Sequence, residues 1–257
     1  MGIGHHMVKA SIVIPAYNEE KLIERCLKSL VNQTLPRKDY EIIVVDNGST
    51  DKTIEIAKKY ADVVISEKKK GVLYARQAGM KKAKSDIILR TDADGYVPKN
   101  WVKKGITIME NNPFYVAFSG FYIPDNNDKV VLKSISKFII NFRKMLYSMG
   151  GKTEWLTGSC SAIRKSAFEK IGGYNFKADP VVEDQQGIGH RLSKIGKIGF
   201  DEKWWVYYSP RRFDNAMNTG TDIFNDYIMY QMLNNLYYMV FKKHPKKVLG
   251  KWKDIRE

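Results

Sequence analysis

Two carboxylates one residue apart close the stretch Asp86-Ile-Ile-Leu-Arg90-Thr91-Asp92-Ala93-Asp94-Gly95. Behind a buried apolar run, Asp92 and Asp94 can hold a hard divalent cation while that cation bridges phosphate oxygens. An isolated Asp-x-Asp also suits a solvated turn, yet like charges packed beside a sheet edge repel unless a cation offsets them. Other polar groups end similar apolar runs: Asn18-Glu19 follows Ser11-Ile-Val-Ile-Pro15, and Asp46 follows Glu41-Ile-Ile-Val-Val. A second acidic pair, Glu183-Asp184, precedes the helical stretch Gln185 to Ser193. There it offsets the helix dipole, supplies a carboxylate base for a hydroxyl proton, or does both.

These side chains act together only if the chain brings them to one place. Four Val/Ile-rich runs, ending at Pro15, Asp46, Ser66 and Arg90, read as buried strands. Glu19 to Val31 and Thr50 to Tyr60 fall between them with apolar residues at helical spacing. Strand and helix in alternation imply a parallel sheet covered on both faces, and ligands bind such sheets outside the carboxyl ends of the strands. The alternation ends near residue 95. Beyond it the pattern predicts a helix over 101–110, an extended run over 115–123 and a long amphipathic helix over 130–149. It continues with a strand-like 154–163, a helix over 165–171 closed by Gly172-Gly173, a helix through Ser193, a strand over 197–208 and helix from 215 onward.

The chain has 257 residues, 44% of them apolar, which supports a sizeable core and excludes a disordered or fibrous state. Its 43 basic against 28 acidic side chains leave a net charge of +15, a field that attracts anions. Cys26 and Cys160 lie far apart without metal-ligand spacing, which argues against a disulfide framework and for a reducing, cytoplasmic setting. The start lacks the pattern of a signal peptide, and His5-His6-Met7 reads as a tag remnant outside site reasoning. No run approaches a membrane span.

Five motifs in order resemble the family 2 glycosyltransferases of GT-A fold, which use nucleotide-diphospho-sugars. They are Ile14-Pro15-Ala16-Tyr17-Asn18-Glu19, Val44-Val45-Asp46-Asn47-Gly48-Ser49-Thr50-Asp51, Gly71 through Arg76 to Gly79, Asp92-Ala93-Asp94, and Glu183-Asp184 ahead of His190-Arg191-Leu192. The resemblance runs from about Ser11 to Arg212. It implies an α/β, Rossmann-like, mainly parallel sheet flanked by helices, with a C-terminal helical extension. The expected division is a nucleotide-sugar half over 8–120, an acceptor half over 121–214 and a basic helical extension over 215–257, the first two forming one two-lobed domain.

By resemblance, Pro15, Ala16, Tyr17, Asn18 and Glu19 form the first nucleotide loop, with Tyr17 against the base, and Asp46 accepts hydrogen bonds from that base. Arg76 faces the nucleotide or its phosphates. Asp92, beside Ala93, contacts the ribose or a metal-bound water, and Asp94 holds a Mn2+ or Mg2+ ion. Asp184 is the base that activates an acceptor hydroxyl, and Glu183 contacts the acceptor or orients its loop. Trp155 and Gly158 line the sugar and acceptor side. Arg211 and Arg212 either oppose the charge on the departing diphosphate or form a solvated strand end. The implied reaction is inverting transfer to a hydroxyl of a glycan or lipid-linked acceptor.

Ile135, Phe138, Ile139, Phe142, Met145 and Leu146, flanked by basic residues, either lie on an anionic membrane surface or pack on the sheet. The C-terminal lysine run poses the same choice. Three rivals stand beside transfer. A dinucleotide enzyme would need a G-x-G-x-x-G that the first strand lacks. A nucleic-acid module would leave Asp46, Asp92 and Asp94 without a purpose. A nucleotide-sugar-binding protein without transferase activity fits the same motifs.

Overall fold

The computed structural model describes residues 7–125, 141, 156–178, 180 and 183–209. The expected helices over 130–149 and from 215 onward, Trp155, Arg211 and Arg212 lie outside the described residues. In chain order the first elements are β1 (Ala10–Ala16), α1 (Ile23–Val31), β2 (Tyr40–Asp46), α2 (Thr53–Ala57), β3 (Val63–Ser66) and α3 (Val72–Lys82). Then come β4 (Ile87–Arg90), β5 (Gly95–Tyr96), α4 (Trp101–Asn111), β6 (Tyr115–Pro124), β7 (Ser161–Arg164) and α5 (Lys165–Lys170). A π-helical turn, Glu183–Gly187, leads into α6 (Ile188–Ser193), and β8 (Lys197–Tyr208) follows.

The strands form one sheet in the order β3-β2-β1-β4-β7-β6-β8-β5. The first four run parallel; β7 is antiparallel to both β4 and β6, β8 is parallel to β6, and β5 is antiparallel to β8. The expected mixed α/β architecture with a mainly parallel sheet is therefore present. Register fixes where the polar strand ends fall. Ala16 pairs with Asp46 and Val13 with Arg90, so the carboxyl ends of β1, β2 and β4 share one edge.

Side-chain alternation sorts the strand residues into two cores. Ile12, Ile14, Ile42, Val44 and Leu89 pack with Cys26, Leu27 and Leu30 of α1 and with Trp101, Val102 and Ile106 of α4. Val13, Ile43, Val45 and Ile88 face the other way, with Leu73, Ala75 and Met80 of α3, Phe168 of α5, and Ile188 and Leu192 of α6. Arg90, two residues beyond Ile88, inherits this second face, the one covered by α3 and α6.

The helix over residues 72–82 carries no element assignment from sequence, because the stretch was legible only as a motif. Its seat depends on Gly79. A Cβ there would collide with Val13 Cγ1 and sit 3.0 Å from Val45 Cγ2, so glycine lets α3 lie flat on β1 and β2. Gly79→Val should therefore cost about 1–3 kcal/mol by overpacking, read as a lowered urea midpoint. An unchanged midpoint would mean that α3 does not depend on this close approach.

Helix starts move inward from the sequence expectation for a physical reason. The backbone N–H of Glu19 donates to Thr53 Oγ1 at 2.7 Å, that of Glu20 to Asp51 Oδ2 at 3.0 Å, and that of Lys52 to Glu20 Oε2 at 3.1 Å. The two loops spend their polar groups on each other, so α1 begins at Ile23 and α2 at Thr53. The run 154–163, expected as strand, is extended only over Ser161–Arg164 among its described residues. Leu156 N–H donates to the Gln185 carbonyl at 3.0 Å, and Thr157 N–H to Ser119 Oγ at 3.0 Å, which turns this segment toward the second acidic pair. Among the described residues no helix is long and apolar enough to cross a membrane.

Candidate active site

The first loop leaves β1 through Asn18, whose φ of 51° is left-handed, a conformation asparagine tolerates better than most residues. Its side chain accepts from Thr50 N–H at 2.8 Å, and its own N–H donates to Ser49 Oγ at 3.0 Å. Tyr17 projects from this loop with 44% of its surface exposed, its ring centroid 5.8 Å from Lys70 Nζ. It is available to lie against a planar ligand.

Asp46 is buried at the end of β2 and accepts from Gly48 N–H and Ser49 N–H, both at 3.1 Å. Asn47, which sequence reasoning treated only as part of a turn, ties the end of β2 to the segment that leads into α3. Its amide donates to the carbonyls of Glu67 at 3.0 Å and Lys69 at 2.8 Å, and its oxygen accepts from Gly71 N–H at 2.7 Å.

The buried thiol of Cys26 lies against the loop that carries Asp92 and Asp94, donating to the Asp92 backbone carbonyl at 3.5 Å. Burial first, and then the nearby charges of Asp94 and Asp92, push that thiol well above its ordinary range, so Cys26 is an inert core residue. Asp94 is buried, Ala93 beside it is buried as well, and Asp92 Oδ1 accepts from Arg76 Nη2 at 2.6 Å. Among the described residues no three histidines, cysteines or acids cluster as a complete cation cage. The donor set present is two carboxylates on one short loop, the kind a cation uses when ligand oxygens and water complete its shell.

Arg76 is not exposed among the surrounding lysines. It is 4% exposed, and its guanidinium spans Asp92 on one side and Asp184 on the other. Burial alone would lower its proton affinity, but the charges of Asp184 and Asp92 outweigh that and raise it, so the cation is fixed. This one side chain joins the first acidic motif to the second.

Asp184 Oδ2 takes the Arg76 contact, while Oδ1 accepts from Arg90 Nη1 at 3.3 Å and from the Tyr174 hydroxyl at 3.3 Å. Burial pushes the Tyr174 phenol up to about 12, which keeps it a proton donor at neutral pH. Gly158 belongs to the same spot: a Cβ there would collide with Asp184 Oδ2 and come within 2.8 Å of Arg76 Nη1. Gly158→Ala should thus force the Arg76–Asp184 pair apart and, with Asp184 in its expected role as base, lower turnover by about 10²-fold. Comparison of rates with nucleotide affinity checks it, and a variant of normal rate would show that the pair tolerates displacement.

Glu183 points elsewhere. It is 2% exposed, accepts from Asn175 N–H at 2.9 Å and pairs with Arg191. Burial raises its affinity for a proton against the opposing pull of these two partners. These contacts tie Glu183 to Asn175 and to Arg191 on α6. Arg90, Tyr174 and Ser161 went unselected by sequence reasoning, although an arginine closing the buried run Ile-Ile-Leu-Arg was a visible anomaly. His190 lies on α6.

The sequence profile of glycosyl transferase family 2 matches residues 11–172. The chain is 48% identical over 97 residues to a poly(ribitol-phosphate) beta-glucosyltransferase of Bacillus spizizenii, covering 35% of this chain and 15% of that protein. It is 32% identical over 185 residues to the probable glycosyltransferase YdaM of Bacillus subtilis, covering 66% of this chain and 44% of that one. The match thus takes in less than half the length of either relative. Among solved structures, Staphylococcus aureus TarS 1-349 superposes with a TM-score of 0.63 at 19% identity, covering 90% of this chain and 72% of that one. A mannosyltransferase of Pyrobaculum calidifontis superposes at 0.62 and 20% identity, covering 92% and 66%. Both likenesses concern the fold, which is that of the GT-A glycosyltransferases. With that fold around its acidic strand ends and a profile match over most of its length, the chain belongs to glycosyl transferase family 2.

Proposed function

We propose that this chain is a metal-dependent inverting glycosyltransferase that moves a sugar from a UDP- or GDP-linked donor to an acceptor hydroxyl. The observation that carries the reading is Arg76, whose guanidinium links Asp92, in the donor-side motif, to Asp184, in the acceptor-side motif. Donor and acceptor chemistry then meet within the reach of one side chain. Structural neighbours support the donor class: TarS was solved with UDP and with UDP-GlcNAc, and the mannosyltransferase with GDP-Man and Mn2+.

In this reading Tyr17 and Asp46 receive the base, with Pro15, Ala16, Asn18 and Glu19 shaping the loop. Asp94, with Asp92, would hold a Mn2+ or Mg2+ ion, which supplies positive charge against the diphosphate as it leaves. Asp184 accepts the proton of the attacking hydroxyl, and Arg76 keeps Asp184 and Asp92 apart in charge and together in space. Arg211 and Arg212 join the diphosphate side and Trp155 the acceptor side. The net charge of +15 suits an anionic glycan or lipid-linked acceptor, and peripheral attachment to an anionic membrane through residues 130–149 and 215–257 completes the proposal.

A second reading, nucleotide-sugar binding without transfer, draws on one observation: both oxygens of Asp184 already have partners. A screen of UDP-glucose, UDP-N-acetylglucosamine and GDP-mannose with Mn2+, scored by release of nucleoside diphosphate and by the shift in melting temperature, separates the two. Release with a thermal shift is expected; a shift without release supports the second reading, and neither rejects both.

A further inference from the structure

Arg90 closes β4 with no exposed surface, and nothing in the proposed reaction uses it. Burying a guanidinium is costly unless its donors and its charge are all answered. Here they are. Nε donates to Ser161 Oγ at 2.8 Å, Nη1 to the Tyr174 hydroxyl and to Asp184 Oδ1, the latter at 3.3 Å, and Nη2 to the Thr157 carbonyl at 3.4 Å. Tyr174 in turn donates to the same Asp184 oxygen. Asp184 is the ionic partner of Arg90 among the described residues.

The two arginines that grip Asp184 differ in kind. Arg76 sits on α3 and divides its charge between Asp184 and Asp92, a residue at the donor-binding edge. Arg90 sits inside the sheet and bonds through β7 and the Thr157 turn, so its position follows the rigid scaffold. We propose that Arg90, acting with Tyr174, is a positioning residue that locks Oδ1 of Asp184 from beneath and aims Oδ2 at the acceptor, independently of how Arg76 and Asp92 respond to the donor. The proposal rests on Asp184 as the base. A lysine cannot replace Arg90 in this office, because four partners in different directions need the planar fork of a guanidinium rather than a point charge.

The test uses the whole chain with Mn2+ and whichever of UDP-glucose, UDP-N-acetylglucosamine or GDP-mannose it hydrolyses. Arg90→Lys keeps the charge and loses the fork; its kcat should fall by about 10²-fold through misplacement of the base. Tyr174→Phe removes one donor to a carboxylate and should fold normally; its kcat should fall by about tenfold. In both, KM for the donor and calorimetric affinity for the free nucleoside diphosphate should match wild type. That split between kcat and binding is what a merely structural defect would not produce. Normal kcat in Tyr174→Phe, or a kcat loss matched by an equal loss of nucleoside diphosphate affinity in either variant, overturns the inference, and Tyr174→Phe decides alone if Arg90→Lys does not fold. If Asp184→Asn retains full kcat, or if wild type hydrolyses none of the three donors, the catalytic reading itself falls and takes the inference with it; a failure confined to the Arg90 and Tyr174 variants leaves that reading standing.

Discussion

Asp184→Asn should abolish most sugar transfer while leaving nucleotide binding in place. A positioned general base contributes about 10²–10⁴-fold to rate, and the amide that replaces it has almost the same shape but no basic oxygen. Binding should survive because Tyr17, Asp46 and Asp94 belong to the segments at and after the ends of β1, β2 and β4, apart from the turn that carries Asp184. The substitution also removes a buried charge that faces two guanidinium groups. Breaking a buried ion pair costs about 3–5 kcal/mol, so a lowered melting temperature is expected beside the kinetic loss. Single-turnover rates at saturating donor, on protein shown to be folded by circular dichroism at the assay temperature, separate the two effects. Near-normal turnover would remove Asp184 from the chemistry and leave it a structural counter-ion for Arg76 and Arg90.

Sequence reasoning found the sheet and both acidic motifs because those signals are local. Val and Ile runs such as Glu41 to Val45 announce a doubly covered strand by composition, and their register follows from parallel pairing. That the carboxyl ends of β2 and β4, next to Asp46 and Asp92, share one edge was therefore legible before any coordinates. What was not legible is pairing between side chains far apart in sequence. Resemblance marks Arg76 for the nucleotide or its phosphates, but nothing in its own neighbourhood says that Asp92 and Asp184 will close over it. Resemblance gives Glu183 and Asp184 different offices but not their partners; the π-helical turn sends one to Arg191 and the other to Arg76. Gly158 and Gly187 show the same limit. Each is glycine because a Cβ would strike the carboxylate of Asp184 or Glu183, a reason that exists only once the fold has formed.

Asp94→Ala should remove the Mn2+-dependent part of UDP or GDP binding and leave the rest. The sign can be worked out from charge alone. Without a cation, Asp92 and Asp94 repel a diphosphate, so loss of one acid should leave metal-free binding equal or slightly tighter. With a cation present, wild type should gain affinity and the variant should not, since even losing a residue that merely orients a metal ligand costs about 10–100-fold in metal affinity. Asp94 is the better probe of the two acids, because Asp92 also holds Arg76 and its loss would disturb Asp184 through that shared guanidinium. Calorimetry with each nucleotide, with and without Mn2+, reads both arms, and Asp94→Asn adds a graded case that keeps one oxygen donor without the charge. Equal metal-dependent gains in wild type and Asp94→Ala would move the cation away from this loop. A gain in the variant without metal and none with it is the pattern that two carboxylates sharing one cation must produce.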